Sequence, residues 1–143
     1  MVAAAGPPEH PPAASELRAA TGALGERAAA EHLRRRDLEV IERNHRNAAG
    51  EIDLIARGPD AIVFVEVKTT RCARPEDRGE ALAGALERVP GAQRARIRRA
   101  AAEWLRSRPA RPRQSRDVRF DAIAVVLDPR GRLVALDHVE DAF

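Results

Sequence analysis

The sequence holds a single lysine, a single cysteine and no tyrosine, and its only aromatic residues are Phe64, Trp104, Phe120 and Phe143. The lone Cys72 excludes an internal disulfide and a cysteine cage for zinc, and it fits a reducing compartment. There is no run of 18 or more apolar residues, the length a membrane-spanning helix needs, so no such span is expected. Residues 1–15 lack the basic start and apolar stretch of a secretion signal, which reads as a cytoplasmic protein. His10, His32, His45 and His138 show no metal-ligand spacing, which argues against zinc. No Ser/His/Asp arrangement, CxxC pair or phosphate-cradling glycine loop is present, and Gly22 and Gly25 are too loosely placed to form one. So few aromatics also leave a single-strand binder without a stacking platform.

What the chain does have is charge, unevenly spread. Its 25 basic and 22 acidic residues give a net charge of only +3, yet eleven arginines fall between Arg88 and Arg119, against Glu103 and Asp117 alone. Such a block eases approach to a phosphate backbone, although a solvated helix face reads the same way. Arginine serves everywhere except at Lys68. A lysine kept in such a composition marks a place where a compact, titratable ammonium is wanted rather than a planar fork.

The 143 residues fit one domain with its own core. Residues 1–19, with Pro7, Pro8, Pro11 and Pro12, read as a disordered Ala/Pro-rich tail, and 20–143 as a single domain. Periodicity predicts a helix from about Ala20 to Arg36, capped by Thr21, with Glu26, Ala29, Ala30 and Leu33 on its inner stripe. Strands are predicted at 38–43, 51–57 and 61–69, with a turn across 44–50 and a reverse turn at Gly58-Pro59-Asp60. A polar loop follows from Cys72 to Arg88, with a short helix around 80–86. A second long helix then runs from about Pro90 to Arg106, and Ile97, Ala100, Ala101, Trp104 and Leu105 form its apolar side. A basic linker, 107–116, leads to strands at 118–127 and 133–139. The order α-β-β-β-α-β-β predicts a mixed α/β fold, helices packed on a central sheet.

The hairpin from Glu51 to Thr69 carries the chemistry. A loop centred on Gly58-Pro59 sets Asp53 opposite Phe64 and Glu51 opposite Glu66. Alternation then gives Asp53, Glu66 and Lys68 one face, with the two acids as diagonal neighbours about 7–8 Å apart. Two carboxylates at that reach can share one hard cation, Mg²⁺ or its substitute Mn²⁺. Phe64 lies on the same face and needs cover, so that face is not simply open to solvent. Glu26, an acid on an otherwise small apolar helix side, is a further candidate, for the pocket or for a core hydrogen bond.

The segments GERAAAEHL at 25–33, NHRNAAGEIDLIA at 44–56, IVFVEVKTT at 62–70 and VRFDAIAV at 118–125 resemble the YraN-like family of uncharacterised bacterial proteins. That family is similar to Holliday-junction resolvases and to the PD-(D/E)xK, restriction-endonuclease-like fold. The resemblance runs from about Leu24 to the C-terminus. It implies Asp53 and Glu66 as metal ligands joined by the Val67 carbonyl, Lys68 as the catalytic lysine and Glu26 as the first-helix acid. By analogy with resolvases it also implies a homodimer. The family often carries a lysine early in its second long helix; Gln93 stands there in this sequence, beside Arg94 and Arg96.

The expected function is therefore Mg²⁺-dependent hydrolysis of phosphodiester bonds in double-stranded or branched DNA, with Arg94, Arg96, Arg98 and Arg99 on the backbone. The alternative is a nucleic-acid-binding module of the same fold without turnover.

Overall fold

The structure, a computed structural model, describes residues 10–11, 13–108 and 117–143. Five strands form one mixed sheet in the order β1(Glu39–Asn47), β2(Gly50–Arg57), β3(Ala61–Arg71), β4(Asp117–Leu127), β5(Leu133–Val139). Neighbours are antiparallel except β3 and β4, which run parallel. A parallel pair needs a crossover. Here a 3-10 turn, Pro75–Asp77, and the helices α2(Arg78–Leu86) and α3(Gly91–Arg106) supply it, together with residues outside the described range. The α/β class with helices on a mixed sheet thus stands as expected, with α2 longer than anticipated.

Strand β3 explains the layering. Val63, Val65 and Val67 pack on one face with Ala29, Ala30 and Leu33 of α1(Ala14–Arg35), while Ile62 and Phe64 pack on the other with Ile97, Ala100, Ala101 and Trp104 of α3. A strand covered on both faces reads as a continuous apolar run, as this one does. Phe64 gets the cover it needs: Trp104 meets it edge-on at 5.6 Å and Phe120 stacks on it at 5.5 Å. Trp104 is core, whereas Leu105 is exposed at the rim rather than part of the apolar side.

Two boundaries differ from those expected. Helix α1 begins at Ala14, inside the segment read as tail, and Thr21 is an interior residue whose hydroxyl takes a bond from Arg71. Only Ala13 and residues 10–11 of the segment before α1 are described. Strand β1 continues through Asn44 to Asn47, and the turn shrinks to two residues because the Asn47 side chain accepts the N–H groups of Ala49 and Gly50. The basic linker lies outside the described residues beyond Arg108.

The β2–β3 register is also corrected. Ile55, not Asp53, lies opposite Phe64. The Gly58 N–H bonds the Ala61 carbonyl, which centres the turn on Pro59-Asp60, one residue later than expected. A one-residue displacement of the centre moves partners by two, so the shared face survives.

Gly25 rather than Glu26 is the innermost residue of the first half of α1: a Cβ there would collide with the Thr69 side chain. The histidines are not all scattered either. His32 on α1 and His138 on β5 face each other at 3.0 Å, and His138 in turn bonds Asp121 at 2.7 Å. Asp121 is fully buried and also accepts a two-pronged bond from Arg119 and the Asp141 N–H. These partners hold its carboxyl below the ordinary range despite the burial that opposes them. No helix of the described residues is long and apolar enough to cross a membrane.

Two outcomes follow. Gly25→Ala forces α1 and β3 apart and should cost about 1–3 kcal/mol in denaturant unfolding, whereas Gly22→Ala, where a Cβ meets nothing, should not destabilise. Burial, then His138 and the nearby Arg36 and Arg35, depress the His32 pKa, so the fold keeps that ring neutral. Its contribution is whole above the unfolded value near 6.5 and is lost as pH falls toward the lower folded value. Only one proton fits between the facing nitrogens. The acid limb of a melting-temperature profile should therefore flatten in His32→Gln, and an unchanged limb would contradict the assignment.

Candidate active site

The site forms where β2 and β3 part company. Their paired register ends at Leu54 with Val65, and one residue further on the Asp53 carboxylate accepts the Val67 N–H at 2.8 Å, standing in for a strand partner. The break is visible in packing too. Ile52 and Ile55 both face α3 although they are three apart, so strict alternation fails between them, at Asp53. On the far side of Asp53, Asn44 adopts a left-handed conformation with φ 51°, which asparagine tolerates better than most residues.

Continuing the register by one pair brings Asp53 across from Glu66, nearer than the expected diagonal. At that position the negative charge of Glu66 is felt at Asp53. Glu66 is only 6% exposed. Burial first, and then the negative charge of Glu66, push the Asp53 pKa up to about 7; the Val67 N–H pulls the other way without prevailing. Burial likewise raises Glu66, against the opposing pull of Lys68, Asp53 and Gln93. Two acids that resist ionising together in one pocket form a place that asks for added positive charge.

Lys68 follows Glu66 on the same face of β3 and sets its Nζ 3.3 Å from Glu66 Oε1. Helix α3 adds a residue that the sequence reading left unassigned: Gln93 donates from Nε2 to Glu66 Oε1 at 2.6 Å and accepts from Lys68 Nζ at 3.3 Å. Its signal was present, since Gln93 lies four residues before Ile97 and extends the buried stripe of α3 by one turn.

Glu26 approaches from the other direction. Burial and the charge of Asp53 raise its pKa, and a hydrogen bond from Asn44 partly offsets them. It adjoins the pair without completing a three-acid cage: among the described residues, no group of three or more His, Cys, Asp or Glu side chains is placed to hold a metal ion. The four arginines named from sequence sit on exposed positions of α3. Arg94 bonds the Val89 carbonyl and lies over Phe143, and Arg98 lies over Phe120. Arg96 and Arg99 make no ion pair with other described residues.

The residues present fit a hard divalent cation. The donor set is all oxygen, and Mg²⁺ is commonly held by one or two protein carboxylates with water or phosphate filling the rest. A cation between Asp53 and Glu66 would supply the charge that their raised pKa values show to be missing.

Residues 25–125 match the model of the uncharacterised protein family UPF0102. The chain is similar to the UPF0102 protein of Corynebacterium efficiens, 43% identical over 83% of this chain and 88% of that one. It is 34% identical to the UPF0102 protein of Pelotomaculum thermopropionicum, over 90% of this chain and 99% of the relative. With the Rhodococcus opacus protein the identity is 41%, over 87% and 96% respectively.

The raised carboxyl gives a pH signature. A folded pKa above the unfolded value of 3.8 means stability is whole below that value and is lost as pH rises through about 7. Without divalent ions, Asp53→Asn should therefore be more stable than wild type at pH 8, by a few kcal/mol at most, and the two should converge near pH 4. Urea unfolding at both pH values measures this. An Asp53→Asn variant no more stable than wild type at pH 8 would contradict the strained pair.

Proposed function

The chain belongs to the uncharacterised protein family UPF0102, and we propose that it is a Mg²⁺-dependent nuclease hydrolysing phosphodiester bonds in duplex or branched DNA. The observation that carries this reading is the convergence of the buried Glu66 and the half-buried Asp53 with the single lysine, beside an arginine-bearing helix.

In this reading Asp53 and Glu66 would hold Mg²⁺, or Mn²⁺ in its place, with the Val67 carbonyl as a further ligand, and the bound cation would supply Lewis acidity toward a phosphate oxygen. Asp53 is pinned by the Val67 N–H, so its free lone pairs stay aimed into the pocket. Lys68 orients the attacking water and offsets the negative charge that builds on the phosphate. The water oxygen bonds phosphorus as the ester P–O bond breaks; the water gives up a proton to bulk solvent, and the leaving oxygen takes one up from it. Glu26, beside Asp53, adds negative charge and a hydrogen-bond acceptor at the rim. Arg94, Arg96, Arg98 and Arg99 contact the backbone, which suits duplex or junction DNA better than a single strand. A homodimer would present two such sites to a two-fold junction. A chain with these substrates works in the cytoplasm.

A cleavage screen with linear, flapped and four-way DNA in Mg²⁺ or Mn²⁺ tests the reading. Wild type should nick, and Asp53→Asn and Glu66→Gln should each lose at least about 100-fold while staying folded by circular dichroism. Arg96→Ala with Arg99→Ala should weaken DNA binding on every sequence and reduce its salt slope by about one per arginine. Salt-sensitive binding with no cleavage under any metal would point instead to a non-catalytic binding module, and acid variants as active as wild type would end the assignment.

A further inference from the structure

Among the described residues, Gln93 is the one uncharged side chain bonded to both members of the Glu66–Lys68 ion pair. A carboxamide offers a donor and an acceptor at opposite sides of one plane, so it can serve a carboxylate and an ammonium together. Its orientation follows from the partners: reversed, the NH₂ group would face Lys68 Nζ and the carbonyl would face Glu66. Glu66 Oε1 receives both donors, Nε2 of Gln93 at 2.6 Å and Nζ of Lys68 at 3.3 Å. No donor among the described residues bonds Oε2.

We propose that Gln93 is a positioning residue, which locks the rotation of the Glu66 carboxylate and ties Lys68 to α3, so that Oε2 faces Asp53 as a ready half of a cation site. This rests on the nuclease reading given above and extends it: the readiness of the site depends on the docking of α3 against the sheet. Gln93 occupies the first turn of α3, and the same stripe of that helix, Ile97, Ala100 and Trp104, packs under β2 and β3. The packing that buries Phe64 is thus the packing that delivers the amide to Glu66. An apolar side chain of equal length would keep the packing and lose both bonds. A side chain bearing charge would favour one partner and repel the other.

The composition provides the probe. Because Lys68 is the only lysine, protein labelled with ¹³C-lysine reports one side chain, without assignment. The test compares wild type with Gln93→Met, which keeps the volume, and Gln93→Ala as a second variant, by the Lys68 ¹³Cε resonance and by calorimetric titration with Mn²⁺. In Gln93→Met the Lys68 signal should move toward the position of a free lysine and narrow, and Mn²⁺ affinity should fall about tenfold, the loss usual when the partner orienting a metal ligand is removed. Wild-type melting temperature in that variant would show that packing is intact. Should Gln93→Met not fold, the same two readouts on Gln93→Ala decide. Unchanged Mn²⁺ affinity in the folded variant overturns the proposal alone, whether or not the Lys68 signal moves, because the bridge would then be packing without consequence for the site. A wild type that binds no Mn²⁺ overturns the nuclease reading and the proposal together.

Discussion

Two acids held face to face where both would ordinarily ionise set the terms for this fold. Asp53 and Glu66 stand across from each other, Glu66 buried and Asp53 half-buried, and neither carries the pKa of a free carboxylate. Their closeness is not a by-product of regular pairing, because the β2–β3 ladder ends just before them and the Asp53 side chain takes over a backbone bond to Val67. Leaving two like charges underpaired in such a place costs on the order of kilocalories. The fold retains the arrangement because β3 is locked from both sides, by α1 against Val63, Val65 and Val67 and by α3 against Phe64. The apolar layers fix where the strained polar groups must sit.

The same layering explains why Lys68 and Gln93 join the pair. Alternation along β3 alone delivers Phe64, Glu66 and Lys68 to the α3 side. The stripe of α3 that covers Phe64 has its polar end, Gln93, one turn nearer the helix start, so apolar burial and polar bridging come from a single docking event. On the opposite face the network of Asp121, Arg119, His138 and His32 fastens α1 to the β4–β5 end of the sheet. That buried acid is fully partnered and its pKa is lowered, whereas burial raises those of Asp53 and Glu66. The contrast separates a structural carboxylate from a pair with unused capacity.

Much of this was legible in the residues. The apolar run of β3 with charges only from its middle onward, the reverse turn at Gly58-Pro59-Asp60 and the alternation expected to give Asp53, Glu66 and Lys68 one face all follow from local pattern. What local pattern could not supply was the centre of the turn. Two adjacent centres share side-chain parity, and only the closing bond from Gly58 to Ala61 chooses between them. The same limit applies to Asn47, whose side chain replaces a longer turn, and to Gly25, whose need for absent atoms is visible only when Thr69 is brought against it. The partnership of His32 and His138 joins residues from opposite ends of the chain, which no spacing rule connects.

Gln93 is a different kind of miss, since the helix period did place it. Read outward from Ile97, the stripe of α3 reaches position 93, and a polar side chain there, across from a strand that carries buried charges, has a partner to find. What gives position 93 its weight is not the charge it lacks but what an amide can do between two opposite charges. A lysine at the same place would bring a second ammonium toward Lys68, and an acid would bring a third negative charge toward Asp53 and Glu66. The neutral bridge leaves the net charge of the pocket to be set by the two carboxylates and the one ammonium. It is on this remaining imbalance, one negative charge in excess when both acids ionise, that the proposed cation site rests.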